Sequence, residues 1–96
     1  MRTNITFSSD TTKNHVVNHT IQGGYLATIQ NLTDQSITIT VTNQDIQSAS
    51  PTFDTPAGGA VVIASGAFGA VTAMYDGWLI TAGASASGTV DIVEQG

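Results

Sequence analysis

The sequence contains no cysteine, which excludes a disulfide framework, a thiolate metal site and a cysteine nucleophile. Charged residues make up only 9% of the 96 residues, whereas a typical soluble domain carries about a quarter. The two basic residues, Arg2 and Lys13, both lie near the N-terminus, so no basic patch is available to bind nucleic acid. The net charge of −5 comes from scattered acids and indicates no particular ligand.

The sequence also has little that would direct it to secretion or to a membrane. Its first ten residues lack the apolar run of a signal peptide, so we expect synthesis and folding in a cytosol. Residues 55–75 carry no charge and are long enough to cross a bilayer. They contain several glycines and Pro56, and they are flanked by Asp54 and Asp76 instead of basic anchors. We therefore expect short β-strands there and no membrane partner.

What the sequence does contain is the pattern of β-strands. Large side chains are few, and small β-branched residues, which favour sheet, are many. Residues 36–42 alternate hydroxyl and apolar side chains, which predicts a strand with one buried face. Upstream, the β-compatible runs 15–22 and 25–31 are joined by Gly23-Gly24, which is typical of a tight hairpin turn. A second turn at 33–35 then predicts a three-strand meander.

The second half of the chain predicts further strands after a long connection over residues 43–59. Asp76-Gly77 lies between two β-compatible runs and predicts a hairpin. The chain is thus expected to be one all-β domain over residues 1–96, a two-sheet sandwich of about eight short antiparallel strands, with a jelly roll as one form of it. Residues 1–13 are interpreted either as part of the sandwich or as an extended N-terminal arm. The predicted strands are 3–7, 15–22, 25–31, 36–42, 60–64, 70–75, 78–82 and 89–93.

No constellation of residues predicts catalysis or a cofactor. On a strand, His15 and His19 would lie about 13 Å apart, too far to share a metal ion. The acids fall in predicted turns and loops without the spacing of a calcium loop. Sequons at Asn4, Asn18 and Asn31 arise readily by chance in so Thr-rich a chain. Neither a nucleophile elbow nor a phosphate-binding loop is present, so we expect no enzyme activity and no metal.

The surface is the informative feature. Outward positions of the predicted strands are Thr, Ser, Asn and Gln, although free β proteins usually protect their edges with charge. This favours an oligomer docked on a protein scaffold. Trp78 follows a predicted turn, which leaves both core packing and an exposed contact open. The residues predicted to contact a partner, within residues 1–13, the 43–59 connection and the strand after Asp76-Gly77, are Arg2, Phe7, Lys13, Phe53 and Trp78.

A resemblance to a known family rests on two segments near the C-terminus. The run Ala70-Val71-Thr72-Ala73-Met74-Tyr75-Asp76-Gly77-Trp78-Leu79-Ile80-Thr81-Ala82, with the closing Gly88-Thr89-Val90-Asp91-Ile92-Val93-Glu94, resembles the last strands of small tailed-bacteriophage capsid decoration, or cement, proteins. The resemblance implies a non-enzymatic virion protein, made in the host cytoplasm, that stabilises a capsid. It also implies contact with the major capsid protein or other virion subunits, and a homo-oligomer with a trimer favoured.

Three other interpretations of the sequence stay open. A carbohydrate-binding or adhesin-like module would use exposed aromatic side chains such as Trp78 and Tyr25. A phage tail, neck or fibre component would share every feature named above. A plain Thr/Ser-rich β domain of the secreted type would have the same composition.

Overall fold

The computed structural model describes residues 2–16, 26–42, 52–56, 59–72 and 77–94. Within these ranges the chain is all β, and none of them contains a helix of the length and apolarity that crossing a bilayer requires. The strands are β1 (Arg2–Val16), β2 (Leu26–Thr33), β3 (Ile37–Thr42), β4 (Val61–Ile63), β5 (Phe68–Thr72) and β6 (Gly77–Glu94).

These strands build two antiparallel sheets of four segments each, because β1 and β6 both run from one sheet into the other. Sheet 1 has the order β1–β6–β2–β5 and uses residues 2–8 of β1 and 87–94 of β6. Sheet 2 has the order β1–β6–β3–β4 and uses residues 12–16 and 77–82 of the same two strands. The two sheets pack face to face as a sandwich.

Both long strands bend where they pass between the sheets. The register of β1 against β6 shifts on either side of Asp10, and Ser9 adopts a left-handed φ of 62°. Asp10 pairs with Ala86 whereas Thr12 pairs with Thr81, so β6 contributes the longer bulge. Bulges bend and twist a strand, which allows one strand to serve two sheets.

The core lies between the sheets and follows the alternation of side chains along each strand. On β3, Ile37, Ile39 and Val41 are buried, while Thr38 and Thr40 point to the other face. Burial of a large apolar side chain stabilises the fold by roughly 1.5–3 kcal/mol, so the two facing layers supply the main stabilisation. The largest fully buried apolar side chains are Phe7, Ile29, Ile37, Ile39, Trp78, Ile80, Val90 and Ile92.

This architecture confirms the predicted all-β, two-sheet sandwich, and the predicted strand over 36–42 appears as β3. The predicted three-strand meander is wrong. β2 pairs with β5 and β6, whereas β1 pairs with β6 and β3 lies in the other sheet. The turn at Asp34 therefore carries the chain between sheets. Gly23-Gly24 lies outside the described residues.

The hairpin predicted at Asp76-Gly77 is also wrong, because the strands on either side of it belong to different sheets. β5 pairs with β2 in sheet 1, and Gly77 begins β6 in sheet 2. Asp76 itself lies outside the described residues. Of the predicted 43–59 connection, residues 52–56 run beside β3, where Val41 and Asp54 exchange backbone hydrogen bonds of 2.9 and 2.8 Å.

Residues 2–13 do not form an extended arm. They belong to β1, which pairs with β6 along both sheets. The side chain of Phe7 is 2% exposed and lies in the core. An arm that leaves the domain would expose this side chain to water, which is why the segment stays in the sandwich.

Candidate interaction surface

The outer face of sheet 1, called here the first outer face, presents polar, uncharged side chains around one ion pair. The register places three rows across the sheet, one of them running from Asn4 through Asp91 and Gln30 to Phe68. The two flanking rows carry Arg2, Val93, Thr28 and Ala70 on one side and Thr6, Thr89 and Leu32 on the other. Among these residues Arg2 and Asp91 are the only charged pair, so the described part of this face is electrically neutral.

Arg2 on the edge strand β1 and Asp91 on the neighbouring β6 form that ion pair. The Nε of Arg2 donates to Oδ1 of Asp91 at 3.0 Å, and the guanidinium Nη2 donates to Oδ2. These hydrogen bonds lower the pKa of Asp91 below its ordinary value, against the opposing effect of desolvation, and they raise the pKa of Arg2. Asp91 is 7% exposed, whereas the Arg2 side chain remains largely in water. Arg2 therefore supplies hydrogen bonds and an opposite charge to a carboxylate that would otherwise be unpaired on this face.

Large apolar side chains are exposed on both outer faces of the sandwich, although most side chains on these faces are polar. Leu32 is 49% exposed and Phe68 is 68% exposed, and they lie diagonally across β2 and β5 on the first outer face. Side chains placed in this diagonal relation are within reach of each other. Val62, 64% exposed, lies on the opposite side of the sandwich on β4. Leu32 and Phe68 thus form an apolar patch on a neutral face.

The outer face of sheet 2 is built differently. Thr12, Thr81 and Thr38 lie in one row across three strands, and Thr40 lies opposite Leu79 in the next. The hydroxyl of Thr40 donates to the carbonyl of Leu79 at 3.5 Å. No charged side chain stands among the paired outward positions that the structure describes on this face. Its threonines account for the alternating pattern that predicted β3.

Asn31 organises a buried polar cluster that sequence reasoning did not identify as structural. Its side-chain amide donates to the carbonyls of Gln35 at 2.7 Å and Ile63 at 2.9 Å. Its Oδ1 accepts from the backbone N–H and the hydroxyl of Thr33 at 3.0 and 2.6 Å. Asn31 is 0% exposed, so its sequon has no room for a glycan in the folded chain. Three of these four hydrogen bonds hold the turn between the two sheets, and the fourth ties β2 to β4.

Two of the three aromatic residues predicted to contact a partner lie in the interior. Phe7 is 2% exposed and Trp78 is 0% exposed, which corrects the expectation that their side chains reach a docking surface. The ring of Trp78 packs against buried His15, with centroids 4.9 Å apart and planes tilted by 51°. The indole Nε1 finds no hydrogen-bond acceptor among the described residues. Burial of Trp78 resolves the choice between core and contact in favour of core.

The other predicted contact residues lie nearer the surface. Lys13 is half-buried on β1 opposite Ile80, and Phe53 is half-buried beside Asp54. Arg2 lies on the first outer face, as described above. The structure therefore does not gather Arg2, Lys13 and Phe53 at one place, because Arg2 belongs to sheet 1 and the other two border sheet 2.

Titratable side chains do not converge on a centre in the part of the chain that the structure describes. No group of three or more His, Asp or Glu residues is arranged there to hold a metal ion. Asp34 instead accepts a hydrogen bond from the backbone N–H of Ser87 at 3.0 Å. Its own N–H donates to the carbonyl of Ser87 at 3.1 Å, which fixes the turn after β2 against β6. His19 lies outside the described residues.

Comparison with known proteins gives no relative. No protein-family model, no curated protein and no solved structure matches the chain.

Proposed function

We propose that this protein is a non-enzymatic virion component that decorates and stabilises a phage capsid, and that it docks through the first outer face. The observation that carries the proposal is the apolar patch of Leu32 and Phe68 on a face where the charges of the described residues cancel. Exposed apolar side chains surrounded by polar ones are typical of protein interaction sites. A coat-protein surface would bury this patch without desolvating an unpaired charge.

The strand order supports the finer assignment of a jelly roll. In chain order the eight segments change sheet at every step except from β3 to β4, and the first and last segments of each sheet lie side by side. A double-sheet jelly roll of this kind occurs in viral capsid proteins and in lectins. The fold is therefore compatible with both a virion protein and a sugar-binding module, and the surface has to separate the two.

The aromatic side chains favour the virion protein over the sugar-binding module. A carbohydrate platform would need exposed rings, but Trp78 and Phe7 are buried. Among the described residues, Phe68 is the one aromatic side chain that is largely exposed. Its neighbour Leu32 is aliphatic, so the two do not form a platform of rings. The carbohydrate-binding module remains the second candidate, because Tyr25 and Tyr75 lie outside those ranges. A tail, neck or fibre component would use the same patch to bind a different part of the virion.

The proposal is tested by sedimentation with empty capsids assembled from the coat protein of the genome that encodes this chain. We expect saturable co-sedimentation and a higher melting temperature of the loaded capsids. Phe68→Asp should weaken capsid binding at least about tenfold, because it places a charge in the contact. Val62→Asp is the matched control, since it adds the same charge to an equally exposed side chain on the other sheet and should leave binding unchanged.

Two results would contradict the proposal. If the wild-type protein does not sediment with the capsids, decoration is wrong, and binding to a glycan array would then favour the carbohydrate module. If Val62→Asp and Phe68→Asp reduce binding equally while both variants stay folded by circular dichroism, the first outer face is not the docking surface.

A further inference from the structure

Among the strands that the structure describes, β5 is the edge of sheet 1 opposite β1. One hydrogen bond shows which of its backbone groups face β2. The N–H of Asn31 donates to the carbonyl of Ala67 at 3.0 Å, and these two residues lie opposite each other in the register that continues from Gln30 and Phe68. In an antiparallel pair, hydrogen-bonded and non-hydrogen-bonded positions alternate. The N–H and C=O groups of Phe68, Ala70 and Thr72 therefore point away from β2, toward the open side of the sheet.

This edge is chemically unlike the opposite one. Residues 59–72, which include β4 and β5, contain no ionisable side chain. Both basic residues of the chain, Arg2 and Lys13, lie on β1, which forms the other edge of the sandwich. Basic side chains on an edge strand discourage pairing with another chain. The β1 edge is thus protected and the β5 edge is not.

We propose that β5 pairs antiparallel with β5 of a second copy of this chain, about a twofold axis at Ala70. In this register Ala70 lies opposite its own equivalent, and Phe68 lies opposite Thr72 of the partner. All three are positions whose backbone groups point outward, so the pairing forms about six hydrogen bonds and leaves none of these groups unpaired. Sheet 1 then continues through both copies as a single eight-stranded sheet.

A second copy fits this edge better than an unrelated partner for two reasons. The register is complementary to itself about one residue, as an isologous interface requires. Each copy carries a net charge of −5, so two copies approach most favourably where neither carries an acid. A closed ring of three would instead pair β5 of one copy with β1 of the next. That arrangement would place the new strand beside Arg2, the basic residue on the sheet 1 segment of β1.

The pairing also has a consequence for docking, which rests on the proposed function. A twofold axis perpendicular to an antiparallel sheet keeps the same face of both copies on the same side. The two patches formed by Leu32 and Phe68 would then face one way, and two linked contacts hold a scaffold more tightly than one.

The self-association is tested on the purified full-length chain by light scattering, without any capsid. We expect a mass near twice 9.9 kDa for the wild type. Ala70→Lys places a charge at the twofold axis, and Ala70→Pro removes an N–H that β2 does not use. Both should give a mass near 9.9 kDa with an unchanged circular dichroism spectrum. Thr6→Lys adds the same charge to an exposed position on the opposite edge of sheet 1 and should remain dimeric.

The pairing is overturned if the wild type is monomeric at every concentration, or if its mass is that of a trimer. It is also overturned if the two Ala70 variants remain dimeric, or if Thr6→Lys dissociates the dimer as they do. These outcomes are independent of capsid sedimentation. A monomer that still loads onto capsids refutes the pairing alone, and a dimer that does not load refutes decoration alone.

Discussion

Gly88 shows how closely the strands of sheet 1 approach one another. It lies on β6 between Phe7 and Thr33, with φ at 126°, and a Cβ built on it would meet the carbonyl oxygen of Leu32 at 2.4 Å. Backbone atoms of a central strand have little room to move away from such a contact. Only glycine fits this position.

We therefore expect Gly88→Ala to lower the free energy of unfolding by roughly 2–5 kcal/mol, through backbone strain and the steric clash together. Gly66→Ala is the comparison, since Gly66 also has a positive φ, 82°, but has nothing within 4 Å of an added Cβ. That variant should lose only about 1 kcal/mol. Urea denaturation of both variants measures the difference. Equal losses would show that the contact with Leu32 is not what requires glycine at position 88.

The stability that the pairing of β1 with β6 contributes depends on pH through Arg2 and Asp91. The folded state lowers the pKa of Asp91 through hydrogen bonds from Arg2. The contribution of this pair is therefore present above the unfolded-state pKa of an aspartate, about 3.9, and is lost as pH falls through the lower folded-state value. The wild type should lose melting temperature on acidification through this range.

Arg2→Gln should show a smaller loss over the same range, because its Asp91 has no charged partner to lose. Arg2→Lys keeps the charge without the paired geometry of the guanidinium, and it should lie between the two. Thermal melts between neutral pH and pH about 3 measure the slopes. Parallel slopes for wild type and Arg2→Gln would show that the pair does not support the β1–β6 contact.

Individual strands were predictable from the sequence where apolar and polar side chains alternate clearly along them. β3 is the clearest case, because Ile37, Ile39 and Val41 alternate with threonines and one face must be buried. Pairing was less predictable. Gly-Gly and Asp-Gly specify that the chain turns, but not whether the next strand joins the same sheet or the facing one. Here β2 and β3 lie in different sheets, as do β5 and the start of β6, so local turn signals gave wrong partners.

The candidate surface was predictable only in its general character. Low charge and outward threonines indicated a surface made for contacts. The particular residues depended on the register, which brings Leu32 next to Phe68 across two strands that are distant in sequence. For the same reason Phe7 and Trp78, prominent in the sequence as large aromatics, could not be assigned to the core until the opposing layer was known.

For the molecule as a whole, β1 is part of the fold and not an appendage. We expect deletion of residues 2–8 to abolish the folded state, because it removes Phe7 from the core and uncovers the edge of β6 in sheet 1. Amide chemical-shift dispersion in an NMR spectrum reports the result. The double substitution Asn4→Ala and Thr6→Ala, which changes only outward side chains of the same segment, should keep a dispersed spectrum. A deletion variant that also keeps one would mean that β1 is dispensable.

Placing the first strand beside the last also determines when the chain can fold during its synthesis. Arg2 pairs with Val93 and Thr12 with Thr81, so neither sheet has its order complete until β6 has left the ribosome. Pairing β1 with β6 closes a loop that contains almost the whole chain, and such a long loop closes slowly. Sandwiches in which most paired strands are distant in sequence are also slow to fold. Until then the nascent chain exposes β1, β2 and β3 without β6, the strand with which all three pair. A chain with few charges has little protection against aggregation during that interval.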